Sequence, residues 1–153
     1  MQHIHIDALY IIGIALRTTN QNNQSAKDIP QLWDAFYAEQ IKEQIPHKVN
    51  DTVYVIYTAY ESDYTAPYTT IIGCQVPTLD DVPEGMVAHT ISAGSYSKVV
   101  AKGNLMEGII INEWIKIWNS PTLDRAYTSD FEVYGPKAQD PTHAEVDLYL
   151  AIK

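Results

Sequence analysis

Glu132 lies in the short run Ser-Asp-Phe-Glu-Val-Tyr, which reads as a strand. Side chains alternate along a strand, so Glu132 and Tyr134 share one face while Phe131 and Val133 share the other. If the glutamate face turns into a groove, a carboxylate sits among aromatic rings. A buried carboxylate is costly unless something pairs it, and a cationic ligand would supply that partner. The alternative is an edge strand with Glu132 in solvent. A second constellation is Tyr57-Thr-Ala-Tyr60-Glu61-Ser-Asp63-Tyr64-Thr-Ala-Pro-Tyr68, which packs four tyrosines and two carboxylates into a short span. Tyrosine faces attract a desolvated cation by ~1–2 kcal/mol each, and the hydroxyls orient it. For any single tyrosine, an ordinary cross-strand aromatic pair is the simpler reading. Trp33, Trp114 and Trp118 fall on helix faces, and Trp114 or Trp33 at a groove mouth would stack on a planar ligand. The histidines His3, His5, His47, His89 and His143 are scattered, with no metal-ligand pair of the His-Glu-x-x-His kind. The chain shows no Gly-rich phosphate loop, nucleophile elbow or Cys/His dyad, so neither a metal nor another cofactor is expected.

These groups must be held by a modest scaffold. The chain has 153 residues, 46% apolar and 19% charged, which fits one globular domain able to bury its own core. The single cysteine, Cys74, excludes a disulfide framework and reads as a small buried hydrophobe. With 19 acidic and 10 basic residues the net charge is −9, which repels polyphosphate at long range, so direct nucleic-acid binding is not expected. No apolar run is long enough to span a bilayer and the N-terminus has no leader pattern, so the expected location is the cytoplasm, away from membranes. Tyrosine is unusually abundant, 11 against 2 phenylalanines. Because its hydroxyl needs a partner, tyrosine in bulk indicates a surface or cavity that is half apolar and half wet.

Along the chain, Leu9 to Leu16 is an apolar run broken by Gly13, followed by a polar loop. Ile29, Leu32, Trp33, Phe36, Tyr37 and Ile41 have helical spacing, with Ser25 or Asp28 as cap, Pro30 in the first turn and Pro46 as stop. Thr52–Tyr60 and Tyr68–Val76 read as an antiparallel hairpin, and Pro77–Gly85 as a linker. Strands at Met86–Ile91 and Tyr96–Ala101 lead to a second helix with the apolar face Met106, Ile109, Ile110, Trp114, Ile117 and Trp118, ended by Pro121. Strands at Phe131–Tyr134 and Val146–Ile152 close the chain. Strand, helix, strand, strand thus occurs twice, and Tyr57 and Tyr134 end matching strands. The pattern predicts a pseudo-twofold α+β domain, with two helices on one face of an antiparallel sheet and a groove between them.

Three segments carry a family resemblance: the Tyr57–Tyr68 hairpin followed by Ile72-Gly73; Ala93-Gly94-Ser95-Tyr96 through Gly103; and Phe131-Glu132-Val133-Tyr134-Gly135-Pro136, ending in Glu145-Val146-Asp147-Leu148-Tyr149. Together they resemble the GyrI-like small-molecule-binding domain, also called the AraC-type effector-binding domain, over nearly the whole chain. The resemblance implies one effector-binding domain over 1–153, made of two βαββ repeats (about 1–78 and 86–153) that enclose a cleft. It implies that the cleft takes bulky, lipophilic, cationic drugs and dyes, with Glu132 contacting the cation. Tyr134, Trp114 and Tyr60 are implied as aromatic walls, to which Trp33 and Tyr57 are added from the pattern above. Related transcription activators fuse this domain to a DNA-reading unit; here the ligand domain uses the whole length. The chain therefore resembles the stand-alone branch, similar to integron-cassette effector-binding proteins.

The leading expectation is a non-catalytic binding protein for amphipathic organic cations, its bound state read by an unknown protein partner or serving for sequestration. A second reading makes Glu132 a general base in a small-molecule hydrolase, although no second catalytic partner accompanies it. A third is a gyrase-modulating interaction module presenting Asp80, Asp81 and Glu84, which read more simply as a solvated loop.

Overall fold

The computed structural model describes residues 2–120 and 123–153. Eight strands form one antiparallel sheet: β1 (Gln2–Ile6), β2 (Leu9–Thr18), β3 (Val53–Thr58), β4 (Tyr68–Val76), β5 (Val87–Ile91), β6 (Gly94–Gly103), β7 (Ser129–Tyr134) and β8 (Ala144–Ala151). The lateral order is β1-β6-β8-β7-β3-β4-β2-β5. Each repeat lays its three main strands in the same sequence toward the centre, β2-β4-β3 and β6-β8-β7, and the halves join where β3 pairs with β7. The α+β repeat expected from the sequence is therefore present.

The short strands that open each half are exchanged. β1 pairs with β6 of the second half, and β5 pairs with β2 of the first. This exchange forces the sheet to curl. β1 and β2 lie six strand positions apart, about 29 Å in a flat sheet at the usual spacing. Yet Ile6 connects to Leu9 through Asp7 and Ala8 alone, a reach of about 11 Å. The same holds for Ile91 and Gly94 between β5 and β6. The edges must approach one another, and the sheet closes into a half-barrel whose inside is filled by Ile11, Tyr54, Ile56, Ile71, Ile91, Tyr96 and Phe131.

The helices α1 (Gln24–Ala38) and α3 (Ile109–Trp118) cover the outer face, and a one-turn helix α2 (Ile41–Gln44) follows the first. Leu32 and Phe36 of α1 pack on Ile12, Val53, Val55, Ile72 and Cys74; Trp114 and Ile117 of α3 pack on Ala101, Val146, Leu148 and Leu150. With both faces covered, β3 and β7 are buried almost throughout. Cys74 is a fully buried thiol, as its apolar neighbours suggested, and burial pushes its pKa up to about 11.

Several local expectations change. Pro30 lies inside α1, not in its first turn, because the helix starts at Gln24, and neither Ser25 nor Asp28 caps it. Gln40 adopts the left-handed conformation and separates Ile41 from α1, so this residue reaches the core from α2. Pro46 holds Ile45 extended and ends that turn. Met106 lies in a 3-10 turn before α3 and is 77% exposed, so it is not part of the helix's apolar face. Gly108, left-handed at φ 75, separates the two. Pro121 falls outside the described residues. The N-terminal strand β1 carries no pattern that marks it in the sequence, and its His3 and His5 are exposed. Among the described residues no helix is long and apolar enough to cross a membrane, and no group of three His, Cys, Asp or Glu is placed to hold a metal.

Gly13 and Gly73 face each other across β2 and β4, where a methyl on either would overlap the backbone of Ile72 or Ile12. Gly13→Ala should therefore destabilise the protein by about 1–3 kcal/mol in urea unfolding. An unchanged midpoint would remove the close approach as the reason for glycine there.

Candidate functional site

Strand alternation places Asp130, Glu132 and Tyr134 of β7 on the helix-bearing face, opposite Tyr57, Val55 and Val53 of β3. Glu132 thus sits where the two repeats meet, between the α1 and α3 cores, and Tyr57 and Tyr134 pack against both. It is 1% exposed. Its Oε2 accepts hydrogen bonds from the Tyr57 hydroxyl (2.7 Å) and the Trp114 indole N–H (2.7 Å), and its Oε1 accepts one from the Tyr134 hydroxyl (2.7 Å). All three donors are neutral, and among the described residues no cation lies within ion-pair distance of it. Burial raises the Glu132 pKa, and the three donors oppose that rise without cancelling it. Burial beside the carboxylate also raises the pKa of Tyr57 and Tyr134 well above the usual phenol value, so both remain donors at neutral pH.

The carboxylate is neither in solvent nor open to a cleft; the rings that donate to it seal it. Two cavities flank the seal. One of about 550 Å³ is walled by Trp33, Tyr37, Leu105, Ile110, Tyr134 and Pro136, a size in the usual range for small-molecule sites. Trp33 meets Tyr134 edge-on at 5.1 Å and stacks on Tyr37 at 5.8 Å. The other, about 70 Å³, lies on the far side of Glu132 and is walled by Tyr57, Tyr60, Tyr64, Tyr68, Trp114, Trp118 and Arg125. Tyr64 stacks on Trp118 with the planes 5° apart.

The structure therefore brings Tyr57, Tyr134 and Trp114 directly onto Glu132. Trp33 stands one ring further out. Tyr60 belongs to a second buried carboxylate: its hydroxyl donates to Asp130 (2.6 Å). Asp130 also accepts from Arg125 Nη2 (2.6 Å) and the Ala151 backbone N–H (2.8 Å). Its alternation with Glu132 made Asp130 findable from sequence. Arg125, in an irregular segment, carried no such signal. Arg17 fixes the loop bearing Tyr60 and Tyr64 by donating to Ala59 O (2.5 Å), Thr69 Oγ1 (3.1 Å) and Pro67 O (3.3 Å). Asp80, Asp81 and Glu84 lie exposed in the loop between β4 and β5.

A curled antiparallel sheet of two βαββ repeats, with a ring-walled site at the seam between its helices, defines an effector-binding domain. The chain belongs to the Cass2 family of integron-associated effector binding proteins, whose model matches residues 4–152. A protein of Bacillus subtilis (strain 168) described as a transcriptional regulator, YobU, is 27% identical over 97% of this chain and 95% of its own. An integron cassette protein from the mobile metagenome of Vibrio cholerae superposes with a TM-score of 0.75 at 28% identity, covering 99% of this chain and 95% of that one. The protein SAV2435, solved bound to tetraphenylphosphonium, shares the fold with a TM-score of 0.75 at 16% identity, covering 99% and 93%. Family membership supports small-molecule binding as the role of the domain.

Because folded Glu132 keeps its proton to higher pH than the ordinary value of 4.5, the stability it contributes is full below that pH and is lost as pH rises through the folded value. Relative to Glu132→Gln, the wild-type unfolding free energy should fall as pH rises above about 4.5. Parallel pH profiles in urea titrations of the two proteins would show that burial does not control this group.

Proposed function

We propose that the protein binds bulky amphipathic organic cations, drugs or dyes, between its two helices, holding them by aromatic stacking and by charge pairing to Glu132, without chemical conversion. One observation carries this reading: Glu132 is 1% exposed, and its partners are three neutral donors. Asp130, two residues away on the same strand face, has a guanidinium. A buried carboxylate with an arginine is complete. One that faces only phenols and an indole gains Coulomb energy when a cation replaces a hydroxyl. Rotation of Tyr134 opens Glu132 toward the larger cavity, where Trp33 and Tyr37 offer ring faces; rotation of Tyr57 opens it toward the smaller one. Tyr60, Trp114 and Trp33 then serve as walls, and tyrosine and tryptophan give large contact area at low entropic cost.

The hydrolase reading is the less favoured one. A general base works with a group that orients or protonates the substrate, and the side chains on Glu132 are spent as donors to it, with the pKa of Tyr57 and Tyr134 raised well above the usual phenol value. Reading of the bound state by a protein partner accords with the regulator-like relatives. The exposed acids Asp80, Asp81 and Glu84 line neither cavity.

Tetraphenylphosphonium carries a charge that does not titrate, so it isolates the contribution of Glu132. In tryptophan-fluorescence titrations, Glu132→Gln should weaken its binding about 10- to 100-fold at neutral pH. Wild-type affinity should fall on acidification as the proton replaces the cation at Glu132, whereas the variant should be nearly flat. Equal affinities at neutral pH would remove the charge from the account.

A further inference from the structure

Arg125 is 7% exposed and lies in the wall of the smaller cavity. Its Nη2 is committed to Asp130 at 2.6 Å, but its Nε and Nη1 are buried without a hydrogen-bond partner among the described residues. A buried guanidinium with idle N–H groups is expensive, and natural structures rarely leave one so. The surroundings supply rings, not acceptors: the guanidinium carbon stands 4.4 Å from the Tyr127 ring centroid and 5.9 Å from that of Trp114. The Tyr60 hydroxyl donates to Asp130, and its oxygen accepts neither the Nε nor the Nη1 hydrogen of Arg125. Asp130 is itself saturated by Arg125, Tyr60 and the Ala151 N–H, and it neither needs nor offers further contacts.

Resting on the cation-binding reading above, we propose that Arg125 is a second polar anchor of the same cleft, and that the preferred ligands are amphoteric: an aromatic body bearing a cationic nitrogen for Glu132 and a carboxylate for Arg125. Trp114 separates the two anchors. Its indole N–H donates to Glu132 from the ring edge while its face lies toward the guanidinium, so the two groups of opposite sign meet one indole at its edge and its face. Tyr57 stands edge-on to Trp114, with 82° between the planes, so a planar ligand that spans both anchors would stack on one of these rings and would need the cavity of about 70 Å³ to widen by rotation of Tyr57. Arginine's parallel-donor forks, Nε with Nη2 or Nη1 with Nη2, both include the nitrogen that holds Asp130, so a ligand carboxylate would take Nε or Nη1 as a single charge-assisted donor. Asp130 holds the guanidinium in place and, by balancing its charge, leaves it a hydrogen-bonding anchor rather than a repulsive one toward the ligand's cation.

Rhodamine B, which has a free carboxylate, and its ethyl ester share the cationic xanthylium and differ at one acceptor group. Fluorescence anisotropy titrations with both dyes should show the wild type binding the acid about tenfold more tightly than the ester. Arg125→Gln should erase that preference, and Arg125→Lys, which keeps the charge but not the planar guanidinium, should retain only part of it. Circular dichroism and thermal melting of each variant establish that it is folded; the wild-type comparison of acid and ester stands without any variant. Ester binding as tight as acid binding, or a preference that survives in folded Arg125→Gln, overturns the role of Arg125. If in addition Glu132→Gln still weakens ester binding, the cation reading stands alone. If wild type binds neither dye, both fall.

Discussion

A carboxylate without a cation, placed where two halves of a sheet join, constrains everything around it. Taking Glu132 out of water removes its hydration, and in a low-dielectric interior each of its lone pairs must find a donor. Three donors meet most of this demand: Tyr57 from the neighbouring strand, Tyr134 from its own, Trp114 from the second helix. These contacts tie β3, β7 and α3 to one another at a single point. They also set the chemistry of the site, since among the described residues this buried acid is satisfied by neutral groups and has no ion-pair partner.

The pseudo-twofold arrangement makes that point singular. Val55 of the first half lies directly across from Glu132 of the second. A glutamate at both places would set like charges on directly opposed strand positions, a destabilising pair in any sheet and a severe one in a buried seam. The symmetry of the backbone is therefore broken at its centre, with one acid and one apolar residue. The cleft inherits a direction from this asymmetry, with Trp33 and the larger cavity on one side and the tyrosine-lined cavity with Arg125 on the other.

Much of this was legible in the chain because it rests on local periodicity. The two helices announce themselves by three- and four-residue spacing, the strands by β-branched and aromatic runs, and Glu132 with Tyr134 by alternation. What escaped is non-local. The exchange of β1 and β5 depends on which edge each short strand joins, and the curl follows only from that pairing. Gln40 and Gly108 break the helical patterns through backbone conformation, so Ile41 and Met106 looked like members of continuous helices. The closure of Glu132 by its own walls was invisible for a different reason. Alternation fixes the face on which a side chain stands but not whether a neighbouring hydroxyl turns toward it. Arg125 sits in a stretch without periodicity and reaches Asp130 only after the chain has bent back along β8.

In the proposed cation-binding role, neutral donors around Glu132, rather than an arginine, make the site exchangeable. An arginine on Glu132 would already balance the charge that a ligand cation would meet, as Arg125 does for Asp130. A phenol holds the carboxylate in the empty protein, and its displacement costs one hydrogen bond of ordinary strength, while the arriving cation adds a Coulomb interaction in the same low dielectric. The displaced ring is not lost, since a rotated tyrosine still presents a face to the cation. Recognition built this way discriminates mainly on charge and aromatic area, with shape a lesser constraint. That suits a domain meeting ligands of varied outline, with directional selectivity confined to whatever hydrogen-bonding anchor the cleft adds.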